Sequence, residues 1–266
     1  MLIYEPIDPV AINLGPVAVH WYGLMYVIGI LGGWWLGRVH ARRTYTPLNE
    51  QQVDDLVTWV ALGVIIGGRV GSILFYNFGE FIDRPLMLFE IWKGGMSFHG
   101  GLLGVSFAVW WFGKRQSISW WDMNDFVAPL VAIGLGAGRI GNFINGELWG
   151  KETDVPWGFL VNGIGRHASQ LYEAFLEGLV LFVIIWWFAS SARPRMAVSG
   201  LWLLCYGIFR FVVEFVRTPD SHIGYMAGDW LTRGQVLTAP MIIGGILLII
   251  LAYRNRVYSP GTTKED

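Results

Sequence analysis

The sequence predicts an all-α polytopic membrane protein of about seven transmembrane helices, with a small external cap and interfacial segments. Three observations carry this expectation: 54% of the residues are hydrophobic against 15% charged, the mean hydropathy is +0.46, and the apolar residues gather in long runs. A membrane helix needs roughly 20 mostly apolar residues. Runs at 17–36, 53–75, 97–112, 126–144, 171–189, 200–216 and 236–253 qualify, the third and sixth being short or interrupted. No alternating, strand-like segment and no disordered linker interrupts them. The chain therefore reads as a single integral membrane domain, 1–266, with 145–170 as an external cap insertion.

Taken in order, the N-terminal residues Met1–Pro9 place acids and prolines where a cleaved signal peptide would carry basic residues, so the N-terminus is expected to be retained. Triplets of glycine in the first four runs (Gly29, Gly32, Gly33; Gly67, Gly68, Gly71; Gly100, Gly101, Gly104; Gly134, Gly136, Gly138) permit close approach of helix backbones. The single cysteine, Cys205, excludes an intrachain disulfide and reads as a packed apolar thiol. A formal net charge of −1 argues against a nucleic-acid partner. The chain carries no zinc signature, no Gly-x-Ser-x-Gly elbow and no P-loop, so neither a metal nor a cofactor is expected.

Positive charge sets the expected orientation. Arg38, Arg42, Arg43, Lys114, Arg115, Arg193, Arg195, Arg254, Arg256 and Lys264 fall on one side, which is then cytoplasmic. Arg84, Lys93, Lys151, Arg166, Arg217 and Arg233 fall on the other, while Arg69, Arg139 and Arg210 lie inside the runs. The N-terminus is accordingly outside and the C-terminus inside. Outer segments 77–96, 145–170 and 218–235 mix Trp, Gly, Pro and acids, a composition suited to ordered interfacial loops. Residues 67–71 and 137–141 echo one another, over too few positions to establish a duplication.

With this orientation the unusual polar residues all lie toward the outer surface: His20 and Tyr22, His99, Arg139 and Asn142, His167, Gln170 and Glu173, then Arg210, Glu214 and Arg217. The densest stretch is 138–150, where Arg139, Asn142, Asn145 and Glu147 stand among Gly138, Gly141, Gly146 and Gly150. Its plain reading is a glycine-rich helix end, but so many polar groups argue for a binding loop. A charge at mid-bilayer costs about 2.5–3.5 kcal/mol on insertion scales, so intramembrane arginines require partners or function. Glu214 can neutralise Arg210 one turn away, and Asp54, Asp55 and Arg69 read more readily as structural. Arginine's planar fork suits phosphate, and arginines at headgroup depth point to a phosphodiester lipid. His99, flanked by glycines, is the candidate base, whereas His20 fits an aromatic belt equally well.

These motifs resemble the bacterial prolipoprotein diacylglyceryl transferases. The resemblance rests on His-Trp-Tyr-Gly-Leu-Met-Tyr at 20–26, His-Gly-Gly-Leu-Leu-Gly at 99–104, the loop at 138–150, Ser-Gln-Leu-Tyr-Glu at 169–173 and Phe-Arg-Phe-Val-Val-Glu-Phe-Val-Arg-Thr-Pro-Asp at 209–220. Ala168 departs from the family's usual proline after the histidine. The resemblance implies transfer of a diacylglyceryl group from phosphatidylglycerol to the lipobox cysteine of a prolipoprotein, in the bacterial inner membrane, from a site facing the outer leaflet. The N-terminus and the cap would then be periplasmic.

The positions it implies are His99, Arg139 and Arg210 as catalytic, with Tyr22, Asn142, Glu147, Gly150 and Glu214 binding substrate. His20, Arg69, Asn145, His167, Gln170, Glu173 and Arg217 stand behind them. In this expectation Glu147 and Glu214 hold the arginines, and Asn142 and Tyr22 orient the headgroup. The competing classes are a lipid carrier or anion transporter, which needs polar residues at the midplane and access from both sides, and a structural scaffold.

Overall fold

The computed structural model describes residues 1–15, 17–90, 94–218, 225–227 and 231–261. Lys93, Lys264 and the Pro-Asp that ends the 209–220 motif lie outside the described residues. Each of the seven apolar runs contains or forms helix: α1 Trp21–Ala41, α2 Glu50–Tyr76, α4 Phe98–Arg115, α5 Trp120–Ile144, the continuous segment Ser169–Phe188, α8 Ala197–Val213 and α9 Arg233–Asn255. A short α3, Phe78–Asp83, and a 3₁₀ turn, Pro85–Phe89, occupy the first outer loop. Among the described residues four helices, Glu50–Tyr76, Trp120–Ile144, Ser169–Phe188 and Arg233–Asn255, are long and apolar enough to cross a membrane.

Helix starts follow local chemistry. Asn49 and Gln52 form a reciprocal capping box at α2, Thr232 and Gln235 another at α9, and the Ser97 side chain accepts from Gly100 N at α4. The segment Ser169–Phe188 is not uniform. It begins as α6, Ser169–Glu173, loosens into a π-helical stretch, Ala174–Val180, and continues as α7, Leu181–Phe188.

The expectation of no strands is corrected. Among the described residues β1 Leu2–Ile3, β4 Phe159–Val161 and β5 Ile164–Arg166 form one small sheet, with β1 parallel to β4. Strands β2 Val10–Leu14 and β3 Val17–His20 make a hairpin, and β6 Tyr225–Ala227 pairs with β7 Leu231–Thr232. Part of the first apolar run, 17–36, is therefore strand β3, and helix begins only at Trp21. Two-residue Asn162–Gly163, both at positive φ, closes the β4–β5 hairpin as a primed turn requires. That dipeptide is the signal in the sequence; three-residue strands are too short for alternation to declare them.

The described chain forms two compact units. One comprises residues 37–124 and 260–266, and the other residues 1–36 and 125–259. In the first, Gly63, Gly67 and Gly71 of α2 face Gly100 and Gly104 of α4. A Cβ on Gly104 would lie 2.0 Å from the Gly63 carbonyl oxygen, and one on Gly67 2.4 Å from that of Gly100. Helices without side chains at their contact can bring backbones together, which is how small residues substitute for a hydrophobic drive in lipid.

In the second unit Gly29 meets Gly134, Gly136 meets Gly178, and Gly200 meets Gly245 in the same manner. Ala128, Ala132, Leu181, Ile185 and Val198 form its apolar core. Asp125 fastens the start of α8 by accepting from Met196 N, Ser199 N and Ser199 Oγ.

Gly104→Ala is expected to destabilise the protein by about 1–3 kcal/mol through overpacking. Gly79→Ala, where an added methyl meets nothing within 4 Å, should be nearly silent. Thermal unfolding in detergent compares the two.

Candidate functional site

The polar cluster lies in the unit comprising 1–36 and 125–259, on the ends of three helical segments. Arg139 belongs to the last two turns of α5, Glu173 ends α6, and Arg210 is in the last turn of α8, followed by Glu214 and Arg217. Three guanidiniums converge on one carboxylate. Arg139 Nε lies 2.5 Å from Glu173 Oε2, while Arg210 Nη1 and Arg217 Nη1 donate to Glu173 Oε1 at 2.9 and 2.8 Å. The Glu173 side chain is 1% exposed, so its charge has left water and depends on those partners.

Glu214 is the second counter-ion. Its Oε2 lies 3.0 Å from Arg210 Nη2 and 3.6 Å from Arg217 Nε, and its Oε1 accepts from Thr232 Oγ1 at 3.0 Å. Thr232 is also the N-cap of α9, so this carboxylate sits where the helix dipole favours negative charge. Gly234 makes the approach possible: a Cβ there would come within 2.5 Å of the carboxyl group.

Glu147, expected to hold an arginine, instead accepts from two amides. Asn142 Nδ2 and Asn145 Nδ2 both reach its Oε1 at 3.1 Å, because the chain turns back on itself after α5 and brings these three side chains together. Glu173 is the carboxylate on which the arginines converge. Its position in the apolar fifth run made it visible as polar, but its three partners come from segments separated by 34 to 44 residues, which no local spacing reveals.

The loop at 138–150 is fixed from several sides. Gly146 has φ +68° and Leu148, a non-glycine, φ +60°, a backbone conformation that only surrounding contacts sustain. Tyr4 supplies some of them. Its hydroxyl donates toward the carbonyls of Phe143 and Ile144 at 3.1 and 3.3 Å, and its ring packs edge-on to Phe143 and Trp149. Gln170 Nε2 donates to the Glu147 carbonyl at 2.6 Å and Ser169 Oγ to that of Leu148 at 2.8 Å.

Gly150 bridges to Arg217, and its amide donates to the His167 carbonyl at 2.8 Å. A Cβ at this position would strike the Val216 carbonyl at 2.4 Å. Tyr22 packs on Gly141, where a methyl would lie 2.9 Å from its ring, and its hydroxyl is 3.3 Å from that of Tyr26. Burial pushes the His167 imidazole below its ordinary range, and its Nδ1 lies 3.2 Å from the Tyr172 hydroxyl. Ala168 is buried and starts α6 without a side-chain cap. His20 is exposed at the end of β3.

Two expected residues belong to the other unit. His99 is exposed in the first turn of α4, edge-on to Phe98. Arg69 is buried, and its guanidinium donates to the carbonyls of Met87, Leu88, Gly94 and Gly95. It thereby pins the loop after α3 onto α2, the structural reading of this arginine. Among the described residues no three His, Cys, Asp or Glu side chains are grouped to hold a metal ion.

Chemically, the cluster is poised for an anion. Arg139 contacts Glu173 through Nε, and among the described residues its two terminal nitrogens donate no hydrogen bond while its side chain is 24% exposed. Open outer donors on a guanidinium can pair with a carboxylate or a phosphate. Fold and site together define a polytopic helical membrane protein with an arginine–carboxylate cluster suited to an anionic ligand. The chain belongs to the prolipoprotein diacylglyceryl transferase family, whose family model matches residues 9–251.

Curated relatives extend the match over nearly the whole length. The phosphatidylglycerol–prolipoprotein diacylglyceryl transferase of Pseudomonas paraeruginosa is 59% identical over 263 residues, covering 98% of this chain and 99% of its own. The protein of the same name from Methylococcus capsulatus is 58% identical over 260 residues, covering 96% and 99%. That from Ectopseudomonas mendocina is 56% identical over 260 residues, covering 96% and 98%.

Glu173→Gln removes the charge that three guanidiniums share. A loss of about 3–5 kcal/mol is expected from the uncompensated cations, seen as a lowered thermal midpoint in detergent. Gly150→Ala should likewise lower it, through the clash with Val216.

Proposed function

We propose that this protein transfers the diacylglyceryl group of phosphatidylglycerol to the thiol of the lipobox cysteine in a prolipoprotein, the first step of bacterial lipoprotein maturation. The observation that carries the reading is the convergence of Arg139, Arg210 and Arg217 on one buried carboxylate, with the outer donors of Arg139 open. The names of the full-length relatives give the same substrates.

In the reaction the cysteine sulfur attacks the glycerol carbon that bears the phosphate. A C–S bond forms, the C–O bond to phosphate breaks, and glycerol phosphate departs with the electron pair and one more negative charge once the thiol proton is removed. A free thiol has a pKa near 8.5, so help in removing that proton is worth about 10²–10⁴ in rate. His99 is assigned as the base. The growing charge on the phosphate oxygen falls to Arg139 and Arg210, cationic donors held at the site by their carboxylate partners. Arg217 and Glu214 keep Arg210 in place, Asn142 and Glu147 order the loop, and Tyr22 bounds the headgroup site from α1.

The chain is placed in the bacterial inner membrane with seven spans, the helices that are short or weakly apolar included. Its N-terminus is periplasmic, its C-terminus cytoplasmic, and the site faces the outer leaflet. Residues 145–170, with the β4–β5 hairpin, form the periplasmic cap of a single membrane domain. The distribution of Lys and Arg supports this orientation.

Purified protein incubated with phosphatidylglycerol vesicles and a synthetic lipobox peptide should add one diacylglyceryl mass to the peptide. An unmodified peptide overturns the reading. Arg139→Gln and Arg210→Gln are expected to lower kcat by about 10²–10³. His99→Gln should lower kcat by about 10²–10⁴, the usual worth of general-base help; an unchanged kcat removes His99 as base.

A further inference from the structure

The segment that carries Glu173 holds a second carboxylate for which the proposed chemistry has no use. Glu177 lies in the π-helical stretch Ala174–Val180, is 0% exposed, and neither of its carboxylate oxygens takes a hydrogen bond among the described residues. A buried polar group without partners is costly and rare enough to call for a reason. Its surroundings suggest one. Arg210 Nη1 lies 3.9 Å from Glu177 Oε1 and 2.9 Å from Glu173 Oε1, so a single nitrogen stands between two carboxylates and is bonded to one of them.

The local backbone is built around this arrangement. Glu177 follows Glu173 by four positions, about one helical turn, and lies inside the π-helical stretch that begins just after it. Such turns recur at functional sites. Gly178, the next residue, packs on Gly136 of α5 so closely that a Cβ would fall 2.6 Å from the Gly136 Cα, one turn before Arg139. The charged groups around Glu177 are thus Glu173 on its own segment, Arg139 on α5, and Arg210 with Arg217 from α8 and the residues just past its end.

A phosphodiester that takes the open donors of Arg139 brings its charge beside the Glu173 carboxylate, and there competes with it for Nη1 of Arg210. We propose that Glu177 is a positioning residue for the transfer reaction: it is the acceptor to which Arg210 Nη1 passes when the lipid phosphate competes with Glu173. The exchange keeps Arg210 paired throughout while Glu173 gives up part of its hold on the cluster. Glu177 touches no substrate and acts only through the arginine. This inference rests on the transferase reading above.

The test measures KM for phosphatidylglycerol and kcat, with a lipobox peptide as acceptor, for the wild type, Glu177→Gln and Glu177→Asp. Losing the receiving charge is expected to raise KM about tenfold, the loss of roughly one charge-assisted pair, with kcat within about twofold. The thermal midpoint should not fall, because an amide is easier to bury than an unpartnered carboxylate; a purely structural residue would lower it. Glu177→Asp, which keeps the charge but withdraws it, should raise KM less, and it carries the test if the Gln variant fails to fold.

In Arg210→Lys/Glu177→Gln the KM should match that of Arg210→Lys alone, since both changes act on one contact. An unchanged KM in both Glu177 variants, a fall in kcat without a change in KM, or additive effects in the double variant overturns the proposal. An inactive wild type overturns the transferase reading itself, and with it this inference.

Discussion

The site depends on one interaction, the burial of the Glu173 carboxylate among three guanidiniums. Charges withdrawn from water in this way hold each other only while all partners are present. The pairing therefore ties three segments that are far apart in sequence. Arg139 anchors the end of α5, Arg210 and Arg217 the end of α8 and the residues just beyond it, and Glu173 the start of the loosened segment between them. Glu214 extends the same network to the N-terminus of α9 through Thr232. A carboxylate shared by three arginines leaves each guanidinium with donors to spare, which is what an anion-binding site needs.

Such a network works only if the backbones that carry it are held closely, and glycine provides that closeness. Gly136 against Gly178 brings α5 next to the π-helical stretch one turn from Arg139, and Gly234 lets α9 begin against Glu214. Gly150 admits the His167 and Val216 backbones beside the loop. In each place a methyl group would meet backbone or a buried carboxyl, so these glycines are required by contact rather than by flexibility. The strained turn at Gly146 and Leu148 obeys the same constraint. It is sustained by Tyr4, Ser169 and Gln170, which hold the loop from the N-terminal segment and from α6.

Much of this was legible in the chain. Long apolar runs located the helices because membrane spans must satisfy their own backbone hydrogen bonds. Intramembrane Arg139, Arg210 and Glu214 stood out because charge is rare there. The strands did not stand out: β1, β4 and β5 are two or three residues long, and their stability comes from pairing across the sequence rather than from any pattern within it. Tyr4 was hidden for the same reason, since nothing near it in sequence hints that its hydroxyl reaches carbonyls at 143 and 144. Glu177 was not singled out at all.

By itself the sequence determined the membrane class, the family and where most of the helices lie, since composition, periodicity or a contiguous motif is enough for each of these. Only the tertiary structure decided how the polar residues pair: Glu147 with asparagines, Arg69 with the carbonyls of its own loop, and Glu173 with three arginines at once. The physical reason is that a side chain's residue type fixes what it can bind, whereas its partner is set by which helix ends packing brings within about 3 Å, the range of a charge-assisted hydrogen bond.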